Sequence, residues 1–197
     1  MPSAEHEMAH QNLGMLFFSK IMAMGLSTND LCGLGATRCD GRNSSKEGDL
    51  SYKPILRKNK TDWPTIVFES GLSESLRRLR DDARWWLTNS KGDVEIVVII
   101  LINPTQSSFY IERWELAPLD ERRPTTGAFL NELLNRPGIP SKLQEITIDQ
   151  HNVVTGAPLV LEFQKIFLRP AAPPETDIEF SAQELSIWAA NIWNCLQ

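Results

Sequence analysis

Cysteine is scarce in this chain. Cys32, Cys39 and Cys195 are the only three among 197 residues, and no two of them form a Cys-x-x-Cys pair. That argues against a disulfide framework and a cysteine zinc site, and it leaves reduced thiols in an intracellular protein as the simplest reading. Histidine is equally sparse. His6, His10 and His151 read as scattered, without a spacing that suggests a ligand set. Long apolar runs are missing too: the longest, Val94 to Ile102, contains Glu95 and is far too short to cross a bilayer as a helix. The N-terminus lacks the charged-then-apolar order of a signal peptide, because Glu5, His6, Glu7 and His10 precede the first apolar cluster. These absences lead to the expectation of a soluble intracellular protein with no membrane partner, with cytoplasm and nucleus not separated. There is no excess of positive charge. The net charge of −5 argues against a general nucleic-acid coat, while leaving room for a local basic patch at Arg77, Arg78, Arg80 and Arg84. No Gly-x-Ser-x-Gly elbow, Walker loop or Gly-x-Gly-x-x-Gly turn is present.

What is there suits one globular domain over residues 1–197, with a core long enough to bury a sheet. Apolar residues from Met8 to Met24 recur near helical spacing, and Gly25 is a plausible stop. Leu31 to Cys39 reads as a short strand or a loop, and Asp40 to Gly48 as an exposed loop. Leu50 to Leu56 is a strand candidate that Pro54 confines to an edge or to an early end. Thr65 to Glu69 is a β-branched and aromatic strand, and Ser73 to Leu87 carries the strongest amphipathic helix pattern. Val94 to Ile102 has the composition of a central strand covered on both faces, and Phe109 to Leu116 should pair beside it. Downstream, the pattern predicts a helix over Thr125 to Asn135, strands over Leu143 to Ile148 and Leu159 to Leu168, and a proline-rich connector from Pro170 to Pro174. A final helix is predicted to open on a Ser181-Ala-Gln-Glu184 capping box. The element order indicates an α/β or α+β fold around one sheet.

Two acids carry the chemical interest. An acid that ends a hydrophobic strand, as Glu69 does, is costly to place there without a partner or a task. Asp49 precedes the neighbouring strand, so a hairpin can bring both carboxylates to one end of the sheet. Two carboxylates suffice to hold magnesium, which keeps several of its waters. Each residue also has a plainer reading. Asp49 suits a solvated loop, and Glu69 suits a turn cap or an arginine pair. Lys53 suits an exposed strand, and the arginines suit a solvated helix face paired with Glu74, Asp81 and Asp82.

The stretch Asp49-Leu-Ser-Tyr-Lys-Pro54, then Trp63-Pro-Thr-Ile-Val-Phe-Glu-Ser-Gly-Leu-Ser-Glu-Ser-Leu76, then the Arg-Leu-Arg-Asp-Asp-Ala-Arg-Trp-Trp-Leu helix resembles the PD-(D/E)XK nuclease superfamily. Within it, the stretch is most similar to the Uma2-like branch, including divergent uncharacterised fungal proteins. The resemblance spans roughly residues 8–116 and leaves 117–197 as a C-terminal elaboration packing on that core. It implies a restriction endonuclease-like central mixed sheet flanked by helices, with additional C-terminal strands and a terminal helix. It also implies that Asp49 and Glu69 bind Mg2+ and that a lysine orients or activates the attacking water. Gly71 stands where the active pattern has lysine, so Lys53 is the lysine expected to substitute, with Arg77, Arg80 and Arg84 as phosphate contacts. Glu7 matches the accessory helix acid.

Two functions follow from these readings. One is a Mg2+-dependent phosphodiesterase or nuclease acting on nucleic acid. The other is a catalytically inactive protein of the same fold that serves as an interaction or regulatory module. A homodimer is compatible with both.

Overall fold

The computed structural model describes residues 4–35, 37–72, 75–118 and 138–195. The helix expected over Thr125 to Asn135 lies outside them. Helix α1 (Ala4–Ala23) buries Ala9, Leu13, Phe17 and Ile21, one residue per turn along a single stripe. It stops before Gly25, whose φ of +83° is the left-handed geometry that closes a helix at low cost to glycine. Gly14 lets this helix sit close to the sheet, since a Cβ there would lie 2.3 Å from Leu50 Cδ2.

The segment that reads as either strand or loop forms an edge strand, β1 (Leu31–Gly33). The loop expected over Asp40 to Gly48 proves to be largely a hairpin of β2 (Arg38–Asp40) and β3 (Ser45–Glu47). Its polar sequence hides this because the hairpin buries little apolar surface of its own. It is held instead by polar contacts, such as Arg38 Nε to Glu47 Oε1 at 3.1 Å and Trp85 Nε1 donating to Ser44 Oγ at 2.7 Å. Strand β4 (Leu50–Pro54) pairs antiparallel with β1 and with β5 (Ile66–Leu72). Helix α2 (Leu76–Asn89) then crosses to β6 (Ile96–Asn103), which runs parallel to β5. Strands β7 (Ser108–Ala117), β8 (Ile139–Ile148) and β9 (Val154–Thr155) continue antiparallel. The result is a seven-stranded mixed sheet in the order β1-β4-β5-β6-β7-β8-β9, flanked by helices. It is an α+β architecture with the helix, hairpin, helix and buried-strand order that the resemblance implies.

Strand β6 shows why its composition is so uniformly branched. Ile96, Val98, Ile100 and Ile102 join the core on the α1 side, whereas Val97 and Ile99 join the core on the α2 side. Both faces are covered, so alternation of polarity is lost. Each fully buried aliphatic side chain contributes about 1.5–3 kcal/mol.

The strand expected over Leu159 to Leu168 divides into β10 (Leu159–Leu161) and a short helix, α3 (Phe163–Phe167). Phe163, Ile166 and Phe167 are buried at helical rather than alternating spacing, and this decides the second half. Strand β11 (Ile178–Phe180) pairs with β10. Helix α4 (Ala182–Cys195) opens on the expected box: Glu184 N donates to Ser181 Oγ at 3.2 Å, and Ser181 N donates to Glu184 Oε2 at 2.8 Å. Trp188 and Trp193 of this helix close around Phe109, with ring centroids 4.6 and 4.8 Å away. Among the described residues, no helix is long and apolar enough to cross a membrane.

Candidate metal and phosphate site

The β4–β5 register decides where the two acids lie. Leu50 stands opposite Phe68, and Asp49 lies in the bend just before β4, where its carboxylate meets Ser70 of β5. Period-two alternation then divides the neighbours of Glu69 between the faces. Val67 enters the core under α2, while Phe68 enters the core under α1. Glu69 follows the first, and its Oε1 accepts a hydrogen bond from Trp86 Nε1 of α2 at 2.5 Å. Ser70 follows the second, and its Oγ lies 3.0 Å from His10 Nδ1 of α1.

Glu69 is 5 % exposed. Burial raises its pKa from 4.5 to about 8, the nearby Lys46 ammonium pulls it down, and the Asp49 charge pushes it up again. The buried acid is therefore mostly neutral at neutral pH until a cation compensates it. Lys46, on β3, lies 3.7 Å from Glu69 Oε1 and 2.5 Å from Asp82 Oδ1.

Asp49 is fixed by backbone and side chain together. Its Oδ2 accepts from Ser70 N at 2.7 Å and from Ser70 Oγ at 3.0 Å, and it lies 3.3 Å from His6 Nε2. Among the described residues, neither Asp49 Oδ1 nor Glu69 Oε2 has a hydrogen-bond partner. Each acid thus keeps one oxygen for a hard cation, and a positive charge there would favour the ionised Glu69 that burial otherwise suppresses. The donor set fits magnesium completed by water.

The remaining expected residues are placed differently. Lys53 points away from the acids: its ammonium donates to the Asn59 carbonyl at 2.7 Å. Four residues of extended strand separate it from Asp49, about 13 Å at the usual rise. Arg80 is committed to Glu112 through a forked contact, with Nε–Oε1 at 3.1 Å and Nη2–Oε1 at 2.5 Å. Glu112 is fully buried; burial pushes its pKa up, but hydrogen bonds from Arg80 and Trp114 outweigh this and hold it below the ordinary value. Arg84 pairs with Asp81 at 2.8 Å and lies over the Trp114 ring. Arg77 is exposed on the first turn of α2. A Cβ at Gly71 would lie 2.3 Å from Ser75 Oγ, so a side chain there requires the serine to turn aside.

Sequence reasoning missed Lys46 and the two histidines. Lys46 lies in the polar stretch whose composition suggests a loop. His6 and His10 look scattered in the sequence, but one helical turn brings them to the same place. Their rings are 5.2 Å apart, and both reach Ser70: His6 Nε2 lies 3.1 Å from its carbonyl. The i, i+4 spacing on a predicted helix was the available signal.

No protein-family model matches the chain, and no curated protein sequence matches it. Among solved structures, it is similar to a crystal structure from Anabaena variabilis, described as that of a candidate nuclease belonging to DUF820. The TM-score is 0.49 with 11 % identity, over 96 % of this chain and 84 % of that one. Similarity at that level transfers no residue role.

Proposed function

We propose that the protein is a metal-dependent phosphodiesterase of the nuclease-like kind, acting on nucleic acid, with Asp49 and Glu69 as ligands for Mg2+. The observation that supports this reading is that Asp49 is held by Ser70, the residue next to Glu69, close enough for its charge to act on Glu69, with one oxygen of each acid uncommitted among the described residues. Bound magnesium would polarise a phosphodiester and lower the pKa of a coordinated water. Trp86 Nε1 orients the Glu69 carboxylate, and the two Ser70 donors orient that of Asp49. Lys46 takes the part expected of Lys53, because its ammonium is the one beside Glu69. Arg77 is exposed and, among the described residues, in no ion pair, so it can meet a phosphate, whereas Arg80 and Arg84 would first have to leave Glu112 and Asp81.

Single- and double-stranded DNA and RNA incubated with Mg2+ should be cleaved by the native protein. Cleavage should fall at least about 100-fold in Glu69→Gln with the fold retained, in line with losses from removing one transition-state-stabilising group. Undiminished cleavage by that variant would overturn the assignment.

Glycine at position 71 favours a second reading, an inactive binding module, because the active pattern has lysine there and Ser75 Oγ occupies the space its Cβ would need. That reading expects nucleic acid to be retained but not cut under any divalent metal.

A further inference from the structure

We infer that His6, His10 and Asp49 form a binding position for a borderline transition-metal ion such as Zn2+ or Co2+, chemically distinct from the all-carboxylate pair. One donor atom from each of the three residues lies within 4.8 Å of the other two. His6 Nε2 and Asp49 Oδ2 are 3.3 Å apart. Ligands about 2.0–2.2 Å from a zinc-like ion stand roughly 3–3.5 Å from one another, so the His6–Asp49 spacing suits such an ion once His6 Nε2 gives up its hydrogen bond to the Ser70 carbonyl, 3.1 Å away. The site is built rather than incidental. His10 is 2 % exposed, and its Nδ1 faces the His6 carbonyl at 2.9 Å and Ser70 Oγ at 3.0 Å. With Nδ1–H donating there, Nε2 carries the lone pair, and a ligating imidazole is commonly oriented in this way through its other nitrogen. The Glu7 carboxylate lies 3.4 Å from His6 Nδ1 and 3.7 Å from His10 Nε2, on the side of the His6 ring turned from Asp49, so water completes the coordination. Imidazole nitrogens favour zinc, cobalt and nickel over magnesium. The position shares Asp49 with the proposed catalytic pair and rests on the placement of that residue, but not on cleavage.

The test is titration of the metal-free protein with Co2+, followed by visible absorption and by imidazole NMR. The chain contains three histidines, and His151, exposed in the turn between β8 and β9, serves as an internal reference. The inference expects one ion per chain, displacement of the His6 and His10 ring signals but not those of His151, and at least about tenfold weaker binding in His6→Gln. Glu69→Gln should bind Co2+ as the native protein does. His10→Gln, should it fold, should resemble His6→Gln; His6→Gln carries the test alone if it does not. Unchanged binding in His6→Gln, unperturbed His6 and His10 signals, or loss of binding in Glu69→Gln would each overturn the inference. Failure of the nuclease reading looks different: no cleavage under any metal, with Co2+ still bound through the histidines.

Discussion

Replacing Glu69 by glutamine should make the protein more stable at mildly alkaline pH, and the size of the effect follows from burial. Glu69 has a pKa raised from 4.5 to about 8 because it is buried beneath α2. A group whose folded pKa is raised contributes fully below its unfolded pKa, and the contribution is lost as pH climbs through the folded value. The unfolded chain ionises Glu69 near pH 4.5, while the folded chain holds its proton to about 8. Over that interval, stability falls by about 1.4 kcal/mol per pH unit, which sets a ceiling of about 5 kcal/mol. Movement of Lys46 towards the ionised carboxylate, or entry of water, recovers part of this, so a realised loss of about 2–4 kcal/mol is expected. Glutamine keeps an oxygen for Trp86 Nε1 but does not ionise. Urea titrations from about pH 5 to about pH 9 should therefore show a falling curve for the native protein and a flatter one for Glu69→Gln, the two meeting near pH 5. Saturating Mg2+ should flatten the native curve as well, because an ion bound to ionised Glu69 offsets its burial. Parallel curves for the two proteins would refute the assignment of a buried, proton-holding acid at this position.

Lys46→Met should extend the same fall in stability to higher pH, because the ammonium, with the Trp86 hydrogen bond, lowers the Glu69 pKa; Lys53→Met, altered on the far part of β4, should leave it unchanged. Arg80→Ala should cost about 3–5 kcal/mol by leaving Glu112 buried without its guanidinium, measurable as a lower urea midpoint. Gly71→Ala should destabilise by about 1–3 kcal/mol through its contact with Ser75 Oγ, and Ser75→Ala should recover much of that loss in the double variant.

The parts of the fold governed by strong periodicity were legible in the sequence. The branched run of β6, the amphipathic α2 and the Ser181–Glu184 cap each announce themselves through one local rule. Segments stabilised by contacts with distant residues were not. The β2–β3 hairpin is polar, and its contacts with Trp85 and Asn89 of α2 come from far along the chain. Helix α3 was hidden because a short apolar run reads equally well as a strand or as a helix. At the site, strand order accounts for Asp49 lying beside the end of β5, where it meets Ser70. The choice of lysine could not be anticipated. Lys53 is nearer Glu69 in sequence than Lys46 is, but only the turn between β3 and β4 determines which ammonium faces the acid.

The missing side chain at Gly14 reaches beyond local packing. His10 and His6 lie about one and two turns upstream on the same rigid cylinder, so the clearance between that cylinder and β4 acts as a lever arm. A methyl group at position 14 would meet Leu50 Cδ2 at 2.3 Å, and either the leucine must turn aside or the whole helix must lift. If it lifts, both imidazoles are carried away from Ser70 and Asp49 together, although neither has been altered. The spacing of one glycine against one leucine thus calibrates how far α1 stands from the acids, and drift at this remote pivot would detune the site while leaving every polar residue in it intact.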